Sequence, residues 1–407
     1  MTIGNDYFPV FSPKEYERRF KAVRKGMKEK GLDCLLIYGA YHFGGNDTGQ
    51  VNAVYLSSYA GIPHTYVIVP LQAEPTLVMG IPLHVPNAKD CSYIEDVRPG
   101  GFDLVYTVAD RFKELKLEKA NIGIVGPMGS WFGNTLPYEH FQYLKETFPQ
   151  ANFPKATDWY EGIRIVKSEE EIRLMEQSGL LSDVAHEEIF LATRPGIRHS
   201  DLRRVADGVA NRFGGSFPFS HIGSTSMKNP QRFYPDFYPT YRTIEAGDVV
   251  MTEIALGYGV YFGKVWGTYF VGEPTKEYLK MFNLAVSVHD KTIATLKPGM
   301  KGRDANKLLK PFKTAGLING APLVMGWSCY NHPPHVGVVE GSPSAAMVKP
   351  SDLEFVFVPG VCVSIISFPV TPDLKKGVWI GTTCVFTKDG LKKLHRYPVT
   401  ELRVAPV

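Results

Sequence analysis

The chain has no CxxC pair, no basic run and no apolar stretch approaching the ~20 residues that span a bilayer. Five scattered cysteines (Cys34, Cys91, Cys329, Cys362, Cys384), odd in number, argue for reduced thiols in a cytoplasmic protein and against a structural zinc site. A net charge of +4 over 407 residues is mild, so neither nucleic acid nor a membrane surface is an expected partner. No basic n-region and apolar h-region follow the first residues, and a signal peptide is not expected. Neither GxGxxG nor GxxxxGKT occurs around Gly123-Ile124-Val125-Gly126, which therefore reads as an ordinary strand-end turn. No internal repeat or low-complexity segment is present.

What is there is ordinary for a soluble globular protein of two domains: 44% hydrophobic and 21% charged residues. Ser12-Pro13-Lys14-Glu15 opens an amphipathic helix through Tyr16, Phe20, Val23 and Met27, with Gly31 as its stop. Apolar runs at 34–38, 66–70, 76–80 and 122–126 read as buried strands, with helices at 108–115 and 138–148. Strands alternating with helices predict an open α/β domain over residues 1–158. Ser168 with Glu171 is a capping box that starts a long helix ending at Arg194-Pro195-Gly196. A second helix is expected from Ser200-Asp201-Leu202 to Gly214-Gly215, and a third from Arg303 to Gly316 after Lys297-Pro298-Gly299. His186, His199, His289 and His395 fall on predicted helices or near a terminus and read as surface residues.

Residues 244–273 carry the most information. Glu245-Ala246-Gly247-Asp248 has turn chemistry, 249–254 and 260–271 are β-prone, and Gly257-Tyr258-Gly259 can reverse the chain. Period-2 alternation puts Glu253 on one face of this hairpin, with Lys264 close to it on the paired strand.

This hairpin resembles the core hairpin of the creatinase, prolidase and methionine aminopeptidase superfamily, the pita-bread fold. Gly247-Asp248, Ile254, Thr268, Phe270, Val271 and Gly272 fit its frame. Arg164-Ile165-Val166-Lys167-Ser168 through Ile172, the Lys297-Pro298-Gly299 turn, and Val378 through Gly390 resemble further stretches of the same superfamily. The resemblance implies an α/β (α+β) protein: an N-terminal creatinase-like α/β domain (1–158) followed by a C-terminal pita-bread domain (159–407). It also implies a homodimer.

The superfamily's metallopeptidases hold two metals with two Asp, one His and two Glu. Along the frame, those positions carry Glu253, Lys264, Ser328 (or, with a small gap, His332), Ile366 and Gly381. An ammonium beside a dication in low dielectric is strongly unfavourable, so no metal and no other cofactor is expected. Creatinase is the superfamily's precedent for catalysis without metal, but its base position falls on Lys228, and its guanidinium-holding glutamates fall near Trp266 and Ile366. His335 matches the superfamily's substrate-side His, and His221 precedes the Lys228 loop.

The expected activity is therefore metal-independent action on a small, anionic molecule, by C–N hydrolysis or elimination. His335, His221, Glu253 and Lys264 are the catalytic candidates. Lys228, His332, Trp266 and Ser328 are the substrate-binding candidates. For Lys264 and Lys228 the bland readings are a salt bridge with Glu253 and a solvated loop lysine. The alternatives are an Xaa-Pro peptidase-like metallohydrolase rebuilt on Glu253, His332, His335 and Glu340, or a non-catalytic binding module.

Overall fold

The structure, a computed structural model, describes residues 11–40, 47–126, 136–234, 240–328 and 331–407. The chain divides into two compact units, Met1–Arg164 and Ile165–Val407.

In the first unit, α1 (Pro13–Glu29) is followed by β1 (Cys34–Ala40), α2 (Val51–Ser57), β2 (His64–Pro70), β3 (Thr76–Met79), α3 (Val85–Cys91), β4 (Asp96–Pro99), α4 (Val105–Glu114), β5 (Ile122–Val125), α5 (Tyr138–Thr147) and α6 (Thr157–Ile165). Ser12 caps α1 by accepting the Glu15 N–H. The sheet order is β4-β3-β2-β1-β5, antiparallel at β1/β2 and β2/β3 and parallel at β1/β5 and β3/β4. Leu35 and Ile37 of β1 pack with α1 residues Phe20, Val23 and Met27, whereas Leu36 and Tyr38 pack with α4 residues Val105, Val108 and Phe112. A sheet covered on both faces needs continuous apolar strands, which explains the unbroken runs. Tyr160 of α6 joins the first of these cores. The division therefore falls after Arg164, and the boundary expected at 158 lies too early. β4 has only four residues, too few for an alternation to be legible, and was not expected.

In the second unit, α7 (Glu169–Ala192) and α8 (His199–Arg212) precede β6 (Ser216–Ser226), β7 (Asp248–Tyr258) and β8 (Tyr261–Val271). Then come α9 (Lys276–Thr295), a 3₁₀ turn (Gly302–Leu309), α10 (Lys310–Thr314), β9 (Ile318–Asn319), β10 (Val324–Trp327), β11 (Asn331–Val336), α11 (Pro350–Leu353), β12 (Cys362–Ser367), β13 (Pro369–Val370), β14 (Ile380–Thr387), β15 (Gly390–Lys393) and β16 (Val404–Ala405). Among the described residues the main sheet runs β11-β10-β12-β14-β8-β7-β6, with β15 on β14 and β16 on β8. The Ser168 capping box forms as read, with Ser168 N–H to Glu171 at 2.9 Å and the Glu171 N–H to Ser168 at 3.2 Å. The start of α8 differs. His199 is already helical, and Asp201 accepts the Arg198 N–H at 3.3 Å, so the cap falls before Ser200. The segment expected as helix from Arg303 is 3₁₀ up to Leu309 and α-helical only over Lys310–Thr314.

The long helix α7 meets the β7–β8 hairpin through a stripe of small and polar residues spaced four apart. Ser178 donates to the Tyr261 carbonyl at 2.8 Å, and Ser182 donates to Gly263 O at 2.7 Å while accepting the Leu256 N–H at 2.8 Å. Gly179 lies against Gly263, where a Cβ on Gly263 would collide with the Gly179 backbone. His186, one turn on, occupies the space above Gly267 and pairs with Thr252 at 2.6 Å. The rear of the hairpin is thereby fixed to one helix.

The four histidines read as surface residues are buried: His186 and His289 at 0%, His199 at 3% and His395 at 7% exposure. Each finds a polar partner on its own or another element, such as Asp183 for His395 at 2.9 Å, and that partner is what makes burial tolerable. Sequence alone does not show those partners. Burial pushes His186 down from the ordinary 6.5 to about 3, and His199 down to about 4. The unfolded chain therefore binds more protons than the folded one as pH falls from about 6.5 toward those values, and acid destabilises. Stability should drop by about 1.4 kcal/mol per pH unit for each histidine. Urea midpoints at pH 7.5 and pH 5 measure this, and a shallower pH dependence is expected in His186→Gln. Equal midpoints would contradict it.

Candidate active site

Register places the central pair. Across β7 and β8, Glu253 faces Trp266 and Ala255 faces Lys264, so Glu253 and Lys264 are diagonal neighbours on one face. Lys264 Nζ lies 2.8 Å from Glu253 Oε1, with the side chains 3% and 7% exposed. The ammonium also lies over the Trp327 ring at 3.7 Å and the Trp266 ring at 4.9 Å. Burial lowers the lysine pKa, and the Glu253 carboxylate works against that shift. Attraction and desolvation roughly cancel in such a pair, but deleting one partner costs about 3–5 kcal/mol because the other is left charged in the interior.

Next to this pair, β6 brings His221 opposite Glu253. His221 Nε2 is 3.7 Å from Glu253 Oε2 and 3.3 Å from the Tyr234 hydroxyl. An aromatic wall continues from there: Tyr234 to Trp379 at 5.1 Å, Trp379 stacked on Phe368 at 4.8 Å, and Trp266 to Trp379 at 6.4 Å. The Nε1 donors of Trp266 and Trp379 are buried and have no hydrogen-bond partner among the described residues.

The sequence model described as "Metallopeptidase family M24" matches residues 173–388, and "Creatinase/Prolidase N-terminal domain" matches residues 19–166. The chain belongs to the M24 family. An uncharacterized peptidase of Bacillus subtilis is 22% identical over 386 residues, covering 93% of this chain and 98% of the relative. The creatinase of a Bacillus species is 19% identical, covering 97% and 94%. Among solved structures, a Thermococcus sibiricus prolidase superposes with TM-score 0.79 at 16% identity, covering 97% and 100%. A Bacillus anthracis Xaa-Pro dipeptidase gives 0.76 at 19% identity, covering 96% and 99%. At these identities the structures establish the fold: a creatinase-like N-terminal domain followed by a pita-bread domain.

The residues at the M24 metal positions of this chain do not fit a pair of metals. Lys264 puts a cation 2.8 Å from Glu253. Gly381 pairs with Trp266 across β14 and β8, and a Cβ there would lie 3.0 Å from Trp266 Cε3 and 2.6 Å from the Ile365 carbonyl. The indole fills the space that a longer side chain would need. Ile366 stands opposite Gly381 and is buried in the same apolar cluster as Trp266 and Trp379. Among the described residues, no three His, Cys, Asp or Glu converge as metal ligands.

The structure thus gathers His221, Glu253, Lys264 and Trp266 in one place. His335 pairs with Met325 on the sheet face that carries the site cluster, and its Nδ1 is 3.9 Å from Asp352. Burial lowers its pKa, Asp352 opposes this, and Lys349 and Lys264 add to the lowering. His332 packs on Gly326, on the other face of β10 from Met325 and Trp327, with Nδ1 2.7 Å from the Pro333 carbonyl. Ser328 is buried, and its carbonyl accepts the Phe262 N–H at 3.1 Å. Lys228 and Glu340 are exposed.

Sequence reasoning missed Trp379, Phe368, Tyr234 and Asp352. Trp379 was findable, because it precedes Gly381 by two in a stretch with a known frame, and period 2 puts both on one face. Tyr234 lies in an irregular segment and gave no signal. Crowding at Gly381 predicts that Gly381→Ala destabilises by about 1–3 kcal/mol, as overpacking does. Urea denaturation measures this, and an unchanged midpoint would contradict the packing described.

Proposed function

We propose that the chain is a hydrolase of the creatinase/prolidase superfamily that cleaves a C–N bond in a small anionic molecule without a metal pair. The observation that carries this reading is the ion pair itself: Lys264 is held 2.8 Å from Glu253 at the centre of the site. Relatives named Xaa-Pro dipeptidase, Xaa-Pro aminopeptidase and creatinase support hydrolysis as the reaction class.

In this reading His221 is the acid/base. Glu253 and the Tyr234 hydroxyl flank Nε2 and orient the ring. Lys264 balances the Glu253 charge so that a carboxylate can stand in an apolar cleft. His221 takes a proton from a water that adds to the substrate carbon. It then returns the proton to the departing nitrogen as the C–N bond breaks. The wall of Tyr234, Trp379 and Phe368 keeps other water away and strengthens the charges within. His335, with Asp352 at 3.9 Å, is a second titratable group on the same sheet face, available to the substrate's far side.

The test is hydrolysis of a panel of N-acyl and N-carbamoyl amino acids by the full chain in excess chelator. Turnover should persist in chelator and fall at least roughly a hundredfold in His221→Asn and in Glu253→Gln. A Glu253→Gln, Lys264→Met double variant removes both buried charges, so it should fold and remain inactive. Activity should also fall on the alkaline side at a pH below the ordinary lysine range, as Lys264 loses its proton. Activity abolished by chelator and restored by manganese, cobalt or zinc would overturn the proposal, as would full turnover in Glu253→Gln.

A further inference from the structure

Beside the aromatic wall, a cavity of about 520 Å³ opens along β6 and the segment that follows it. Tyr234 belongs to both places: it lines this cavity and its hydroxyl lies 3.3 Å from His221 Nε2. Met251, two residues before Glu253 on the same face of β7, lines the cavity as well. The cavity therefore adjoins the reacting centre through Tyr234 and Met251.

Its charges are one-sided. Arg242 is already matched, with Nη1 2.6 Å and Nη2 3.0 Å from the buried Asp248 carboxylate. His199 hydrogen-bonds Thr240 and Ser224, each at 2.9 Å, and burial keeps it neutral at ordinary pH. Arg232 lines the same cavity and has no ion pair among the described residues. Asn229 and the hydroxyl of Thr225 add neutral polar groups, and Ile222, Met251 and Tyr234 give the remainder an apolar surface. Among the described residues no Asp or Glu lines it. A guanidinium with no ion pair among the described residues, at a polar end, and an apolar path toward His221 together describe the complement of one kind of ligand.

We infer that this cavity is a receptor for the oxyanion of the substrate, carboxylate or phosphate, with Arg232 as the recognising cation and an apolar arm of the molecule running past Tyr234 to His221. The inference rests on the reading of His221, Glu253 and Lys264 as the reacting centre, and it adds the group that fixes which molecules reach it. Arg232 is exposed and makes no hydrogen bond or ion pair among the described residues, so Arg232→Gln should fold.

The experiment is calorimetric titration of the full chain with hexanoate, hexyl phosphate and the neutral hexanamide. At least one of the two anions should bind roughly tenfold or more tightly than the amide, a charge-assisted hydrogen bond being worth that much or more. Whichever anion binds tighter names the oxyanion. The preference should vanish in Arg232→Gln and persist in the Glu253→Gln, Lys264→Met double variant, which changes no residue lining the cavity. Equal affinity for the amide and both anions would overturn the inference, as would a preference that survives Arg232→Gln. Because binding is read rather than turnover, this outcome is separate from the fate of the proposed hydrolysis.

Discussion

A lysine ammonium and a glutamate carboxylate, buried together under two tryptophan rings, set the terms for the rest of this domain. Neither charge is tolerable alone in that interior, so each requires the other and both require the hairpin register that makes them diagonal neighbours. Register in turn depends on the rear of the hairpin, where α7 holds the strand backbones through Ser178 and Ser182 and the Thr252 hydroxyl through His186. A slip of one residue would move Glu253 and Lys264 to that helix-packed face and bring Thr252 and Gly267 forward. The site is thus anchored from behind by small residues that themselves do no chemistry.

The same pair explains the surrounding substitutions. In the proposed reading, with a cation already beside Glu253, further carboxylates would have no dication to bind and would each need a new partner. Gly381 and Ile366 stand where the superfamily frame has acids, and the Trp266 indole occupies the space at Gly381. The aromatic wall from Tyr234 to Phe368 completes a lining with few polar groups, in which an electrostatic effect is larger than in water. In the proposed reading, the groups at the superfamily's ligand positions fit one another rather than a metal.

The β7–β8 hairpin, the α7 cap and the alternation of the first unit were legible in the sequence because each rests on local chemistry: turn residues, a capping box, apolar period. Glu253 near Lys264 followed from period 2 and a tight reversal. What was not legible depends on distant partners. The buried histidines looked like surface residues because Thr252, Asp183 and Ser224, which make their burial tolerable, lie far along the chain. His332 and His335 were read together, yet they lie three residues apart on β11, and period-2 alternation puts them on different faces. Tyr234 and Arg232 come from an irregular segment whose path no periodicity encodes. The start of the 3₁₀ turn was placed, but its type was not, since 3₁₀ and α-helix share their capping signals.

In the proposed reading, the Glu253–Lys264 ion pair stands where family M24 holds its metal pair. Elemental analysis of the full chain, purified without chelator and incubated with manganese, cobalt or zinc before gel filtration, tests it most directly. The account predicts far less than one metal ion per chain under every condition. One or two ions retained per chain through gel filtration would contradict it, because Lys264 would then have left Glu253 to make room for a dication.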